Sequence, residues 1–212
     1  MADPRFDYRL GGPGLPGRRL DTQSQQDCKD HEDITIMATN ATLTPIGTLS
    51  FLNIKEARPV VEGGTPRFSV NIIFDEAAQR TPEFAKLQEA IANCISDKWG
   101  KKVPANLRMP LRDGGEKEGT YAGYRKGTIF INPWSKTSFG VVDRRKHDII
   151  DLGSLYAGML GRANVRPFAY DTGSNKGVGL LIDSLQITKD DGPRIDGKAS
   201  ASSSFPDDEE EV

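Results

Sequence analysis

The sequence is poor in the residues that build catalytic and metal centres. It has two histidines, His31 and His147, and two cysteines, Cys28 and Cys94, in 212 residues. No His-x-x-x-His pair and no Cys/His cluster occurs, so no transition-metal site is expected. Two thiols do not make a disulfide framework, and they fit a reducing compartment. There is no GxxxxGK[ST] phosphate loop and no G-x-S-x-G nucleophile elbow, so neither a cofactor nor an enzymatic activity is expected. No apolar run approaches the ~18 residues of a membrane-spanning helix. No charged-then-apolar leader opens the chain. One carboxylate group remains, Asp143, Asp148 and Asp151. It could hold a divalent ion in a nuclease-like way, or simply answer the neighbouring Arg144, Arg145 and Lys146.

An excess of charge is missing too, but only in the total. The chain has 28 basic and 30 acidic residues. The first 36 residues hold five basic and seven acidic ones, and the stretch from Ser200 holds none and five. The middle is left with 23 basic and 18 acidic residues, a net of about +5. A mildly basic body with an acidic tail suggests a polyanion partner and a tail that competes for the same surface.

The organisation follows. Residues 1–36 contain Gly11–Gly17, rich in glycine and proline, and a polar run, and they read as a disordered arm or a vector-derived extension. Residues 37–191 suffice for one domain with a single core. Residues 192–212 read as a linker and a solvated acidic tail. Gly47–Ile54 and Arg67–Phe74 read as strands, the second with Phe68, Val70, Ile72 and Phe74 on one face. The spacing of Phe84, Leu87, Ile91, Cys94, Ile95 and Trp99 predicts a helix. Thr81 is its N-cap, Pro82 its first position and Gly100 its end. A long basic and aromatic loop spans 101–127. Further strands are expected at 128–132, 139–142, 161–170 and 178–188. Many short strands with one inserted helix (about 81–99) predict a mainly β fold, an OB-like small barrel.

Rings interleaved with cations stand out. One group is Tyr121, Tyr124, Arg125 and Lys126, a second is Trp134 and Lys136, and a third runs from Arg162 to Tyr170. Single-stranded nucleic acid is held by this combination. Cations track phosphates, and each ring stacked on a base contributes about 1–3 kcal/mol, whatever the base. Alternation puts Arg162, Asn164, Arg166 and Phe168 on one strand face. The competing reading places Phe168 in the core and the arginines on an ordinary surface.

The stretch Gly161–Lys189 resembles the C-terminal part of phage single-stranded DNA-binding proteins of the podophage type and a related group. Phe168-Ala-Tyr170, Asn175-Lys176-Gly177 and Leu185-Gln186-Ile187 carry the resemblance. Arg67–Phe74, the helix at Pro82–Trp99 and Pro110–Gly115 match in order, so it covers about Gly47 to Lys189. It implies an OB-type barrel that coats single-stranded DNA without sequence preference in the cytoplasm of an infected bacterium. The expected contacts are Tyr121, Tyr124, Arg125, Lys126, Trp134, Lys136, Arg162, Arg166, Phe168, Tyr170 and Lys176. The resemblance also implies a tail that recruits replication or recombination proteins and competes with DNA. Here the tail comprises Phe205, Asp207, Asp208, Glu209, Glu210 and Glu211. This tail ends in Val212, whereas the family's better-known tails often end in an aromatic residue. A second copy of the chain is a further candidate partner. An RNA-binding OB protein and a phage assembly protein are the alternatives, because nothing in the residues reads a 2′-hydroxyl.

Overall fold

The strand pattern is realised as one curled sheet. The computed structural model describes residues 41–59, 63–172 and 175–196. The N-terminal arm and the acidic tail, Phe205 and Asp207 to Glu211 included, lie outside the described residues. In chain order the elements are β1 (Thr42–Leu43), β2 (Gly47–Arg58), β3 (Arg67–Phe74), α1 (Glu76–Gln79), α2 (Pro82–Trp99), β4 (Arg112–Asp113), β5 (Ile129–Ile131), β6 (Trp134–Ser135), β7 (Gly140–Val142), β8 (Leu160–Thr172) and β9 (Asn175–Lys189). The fold is mainly β with one long helix, as expected. The helix occupies the predicted span, capped by the Thr81 side chain at the Phe84 amide and ended by Gly100 at φ +54°.

The pairings return on themselves. β8 pairs β2 and β9, β2 pairs β3, β3 pairs β6, and β6 meets β9 through one parallel pair, Trp134 with Leu181. The sheet therefore curls until its path closes at a seam one residue pair wide. Curling brings β2 against β8 at Gly47 and Gly161. A Cβ at Gly161 would lie 2.7 Å from the Gln186 carbonyl oxygen of β9 and 3.0 Å from the Leu49 side chain of β2, so the close approach of these strands to β8 requires glycine.

Alternation sorts the two faces. The inner face of Leu49, Val70, Ile72, Phe74, Ile131, Ala163, Val165, Leu180 and Leu185 forms the core, and the buried stripe Phe84, Leu87, Ile91 and Cys94 of α2 closes over it. Burial, and secondarily Asp97, pushes the Cys94 thiol pKa up, as suits an unreactive core thiol. The other face is where the strands differ from an ordinary surface.

Candidate nucleic-acid interface

Cross-strand partners share a face, so the register maps the outer side of the sheet. Ser50 pairs with Asn71, Asn53 and Trp134 with Ser69, Phe130 with Ile73 and Arg112, and Leu181 with both Trp134 and Arg166. Along β8, Arg166, Phe168 and Tyr170 continue that face. It runs from Phe130 across a polar floor of Ser50, Ser69 and Asn71, all four buried beneath neighbouring side chains, to the half-exposed Trp134 and Tyr170.

One end is a ladder of rings. The Arg67 guanidinium lies 4.2 Å from the Trp134 ring centre, Trp134 meets Phe168 edge-on at 5.7 Å, and Phe168 lies 6.2 Å from Tyr170. Glycines opposite make room for the rings. A Cβ at Gly179 would fall 2.5 Å from Phe168 ring carbons, and one at Gly177 would fall 2.5 Å from the Tyr170 hydroxyl. This corrects the expectation for Phe168: its ring lies down over Gly179 and is 5% exposed. It supports Trp134 rather than offering its own face to a base. Trp134 and Tyr170 stay half-exposed.

The other end is a cage. The Lys117 ammonium lies 4.8 Å from the ring centres of Phe51 and Tyr124, 4.7 Å from that of Phe130 and 5.6 Å from that of Tyr121. Burial first, then the Arg112 charge, holds the Lys117 pKa below its ordinary value. Tyr124 is a second correction. It is 4% exposed and its hydroxyl accepts a hydrogen bond from Asn71 Nδ2 at 2.7 Å, so it braces the floor. Burial raises its pKa against the opposing hydrogen bonds from Asn71 and Ser50. Tyr121 is exposed.

The remaining predicted cations are distributed unevenly. Arg166 donates from Nε and Nη2 to Asp183 Oδ1 at 3.1 and 2.6 Å. Lys176 donates to Asp171 Oδ2 at 2.9 Å, the first cause of that carboxyl's lowered pKa. Arg162 donates to the Gln186 amide oxygen at 2.9 Å. That amide in turn donates to the Asp143 carbonyl, tying the Arg144–Lys146 turn to the face. Lys136 is exposed two residues beyond Trp134. Arg125 and Lys126 are exposed on a turn beside Asp75 and Glu76, away from the ladder. Sequence reasoning missed Arg67, Phe51, Arg112 and Lys117. Arg67 opens the best alternating strand, which was a signal. Phe51 surfaces through a β-bulge that local pattern does not reveal.

Asp143 and Asp151 serve turns. Asp143 accepts from the His147 backbone amide at 2.8 Å, the main reason its pKa is lowered, and Asp151 from the Gly153 amide at 2.9 Å. Among the described residues no group of three or more His, Cys, Asp or Glu could hold a metal ion.

A curled, helix-capped sheet of this kind is the fold of phage single-stranded DNA-binding proteins. The structure is similar to that of the bacteriophage Enc34 single-stranded DNA-binding protein in complex with ssDNA, with a TM-score of 0.62, 15% identity, and coverage of 71% of this chain and 87% of that one. It is also similar to gp2.5, the single-stranded DNA-binding protein of bacteriophage T7, with a TM-score of 0.57, 16% identity, and coverage of 77% and 99%. The chain belongs to the family described as Enterobacter phage Enc34 ssDNA-binding protein, whose profile matches residues 43–212. No curated protein sequence matches it.

Proposed function

We propose that the chain binds single-stranded DNA without sequence preference along the outer sheet face, and that it protects and organises the strand in phage replication and recombination. One observation carries this reading. Trp134, Phe168 and Tyr170 share a continuous face with Arg67, Arg162 and Arg166. Rings and cations on one face are what a flexible strand of bases and phosphates needs. The curled sheet is read as OB-type, and family membership supports the substrate. The acidic tail is read as a competitor for the same face and a recruiter of replication proteins. The cytoplasm of an infected bacterium is the compartment that goes with this role.

The test is fluorescence titration across salt, with single-stranded DNA, duplex DNA and RNA compared. Trp134 lies on the proposed face, whereas Trp99 packs partly buried against the core at the end of α2, so the larger response is expected from Trp134. Single strands are expected to quench it, with log K falling by about 0.7 per log salt for each phosphate contacted. The absence of both quenching and a mobility shift at low salt would overturn the reading. Tighter binding of RNA would transfer it to the other polymer.

Arg166 provides a sharper check, because Asp183 neutralises it in the unliganded protein. Asp183→Asn keeps an oxygen for the hydrogen bonds and removes the charge. It is expected to tighten binding severalfold and to steepen the salt slope by about 0.7. An unchanged slope would mean that Arg166 reaches no phosphate.

A further inference from the structure

We propose that Phe51, Tyr121 and Lys117 form a second nucleotide subsite, in which Lys117 is a placeholder that an incoming base displaces from the rings. The inference rests on the single-strand reading above. It joins Phe51 and Lys117 to Tyr121, the one member that the ring pattern of the sequence already holds, in a site apart from the Trp134 ladder.

Three observations converge. First, Phe51 is built outward at a cost. Ser50 pairs with Asn71 and Asn53 with Ser69, so three residues of β2 span two of β3, and the extra residue forms a bulge. Phe51 lies there at φ +47°, a conformation unfavourable for any residue with a Cβ, and its ring is 40% exposed. A strained backbone that holds an apolar ring in water contributes nothing to the core, and strain of this kind collects at binding sites. Second, Tyr121 is 46% exposed and meets Phe51 edge-on at 5.0 Å, so two rings offer surface at one place. Third, the Lys117 charge is held by rings. Glu116, the adjacent carboxylate, is turned to Arg112, which itself lies over Phe130.

An ammonium held among rings, with no salt bridge among the described residues and Glu116 acting on it only at a distance, is poised for exchange. When a base takes the rings, Lys117 loses cation–π contacts and gains a phosphate, so stacking and charge pairing occur together. The occupant is a base with its phosphate, because the site offers flat rings and cations and continues into the polar floor that leads to Trp134. β3 separates β2 from β6, which puts the cage roughly 10 Å from the ladder, within the span of one strand.

The experiment uses the full chain and single-stranded oligonucleotides of roughly 16 nucleotides, the upper range for one such domain. Phe51→Gly removes the ring and suits the backbone, so the fold should keep its melting midpoint while affinity falls about tenfold. Lys117→Met keeps the packing and should flatten the salt slope by about 0.7. Phe51→Trp should add emission that DNA quenches together with Trp134. Wild-type affinity of Phe51→Gly, or an unquenched Trp at position 51, with Trp134 still quenched, overturns the cage and leaves the ladder standing. Loss of all quenching in every variant and in the wild type overturns both readings.

Discussion

Trp134→Ala is expected to weaken single-stranded DNA binding by roughly tenfold to a hundredfold, the range for losing a stacked ring, and to remove the fluorescence response. Trp134 is where the face converges. It pairs with Ser69 on one side and Leu181 on the other, stands edge-on to Phe168, and carries Arg67 over its ring. A base that stacks there must displace the guanidinium, which then lies beside the next phosphate. Removing the ring therefore removes the stack and also leaves Arg67 without the surface that orients it. The loss should exceed that of Tyr170→Ala, whose ring stands at the end of the ladder. Trp134→Phe keeps a π-face and should recover most of the affinity, which separates stacking from packing. β6 is two residues long and forms the single-pair seam, so a thermal melt must accompany each variant. Binding by Trp134→Ala within about twofold of wild type, with the fold intact, would mean that the strand lies elsewhere.

What the sequence made legible was local. The α2 stripe, its Thr81 cap, and the alternation of β3 each sit within a few residues of chain, and each has the predicted place in the structure. The site was legible only as composition. Phe168 follows the alternation onto the outer face, yet its burial depends on Gly179 of another strand. Tyr124 lies in a stretch that reads as an exposed loop, and it is buried because Asn71, 53 positions away, binds its hydroxyl. Lys117 was one of many lysines until the chain folded it among four rings. The bulge at Phe51 inverts a side chain that alternation would leave unremarked. Each missed feature depends on a partner distant in sequence, so windowed reading finds the cations and rings but not which of them meet.

Pairing of charge also divides the face. Arg166 and Lys176 each have a carboxylate partner, while Arg67 and Lys117 lie on rings. The paired cations must break an ion pair before meeting phosphate, and half-exposed pairs of this kind contribute only about 0–1 kcal/mol. The ring-held cations exchange one attractive surface for another. Both sets should add to the salt slope, the ring-held cations directly and the paired ones fully only once their carboxylate is removed, whereas discrimination between single strand and duplex should reside in the ring-held set, because only that set requires unstacked bases.

Deleting residues 200–212 is expected to tighten DNA binding about tenfold at low salt. Five carboxylates leave with that segment, and residues 37–199 carry a net charge of about +5. A few tenths of a kcal/mol to about 1 kcal/mol per charge against an exposed basic surface gives this order. The chain that leads toward the tail is fastened beside the cage. Ile195 donates its amide to the Ala157 carbonyl at 2.9 Å and packs on the Ile73, Tyr124 and Phe130 cluster. The Tyr156 hydroxyl donates to the Gly192 carbonyl at 2.9 Å, and Arg194 lies 4.5 Å from the Tyr156 ring. From Asp196 to Asp207 the chain spans at most roughly 40 Å. That length suffices for competing acids to reach the rings, and a tether of this kind raises local concentration without any new contact. The sign of the salt effect separates competition from recruitment. If the acids compete, salt weakens their hold as well as that of DNA. The two titration curves should then converge as the Debye length shrinks towards ~3 Å, and the truncated chain should show the steeper slope. Replacing the five acids with Asn and Gln should reproduce the effect at constant length. A tail that only recruits partners would leave both the affinity and the slope unchanged, and weaker binding after deletion would rule out competition.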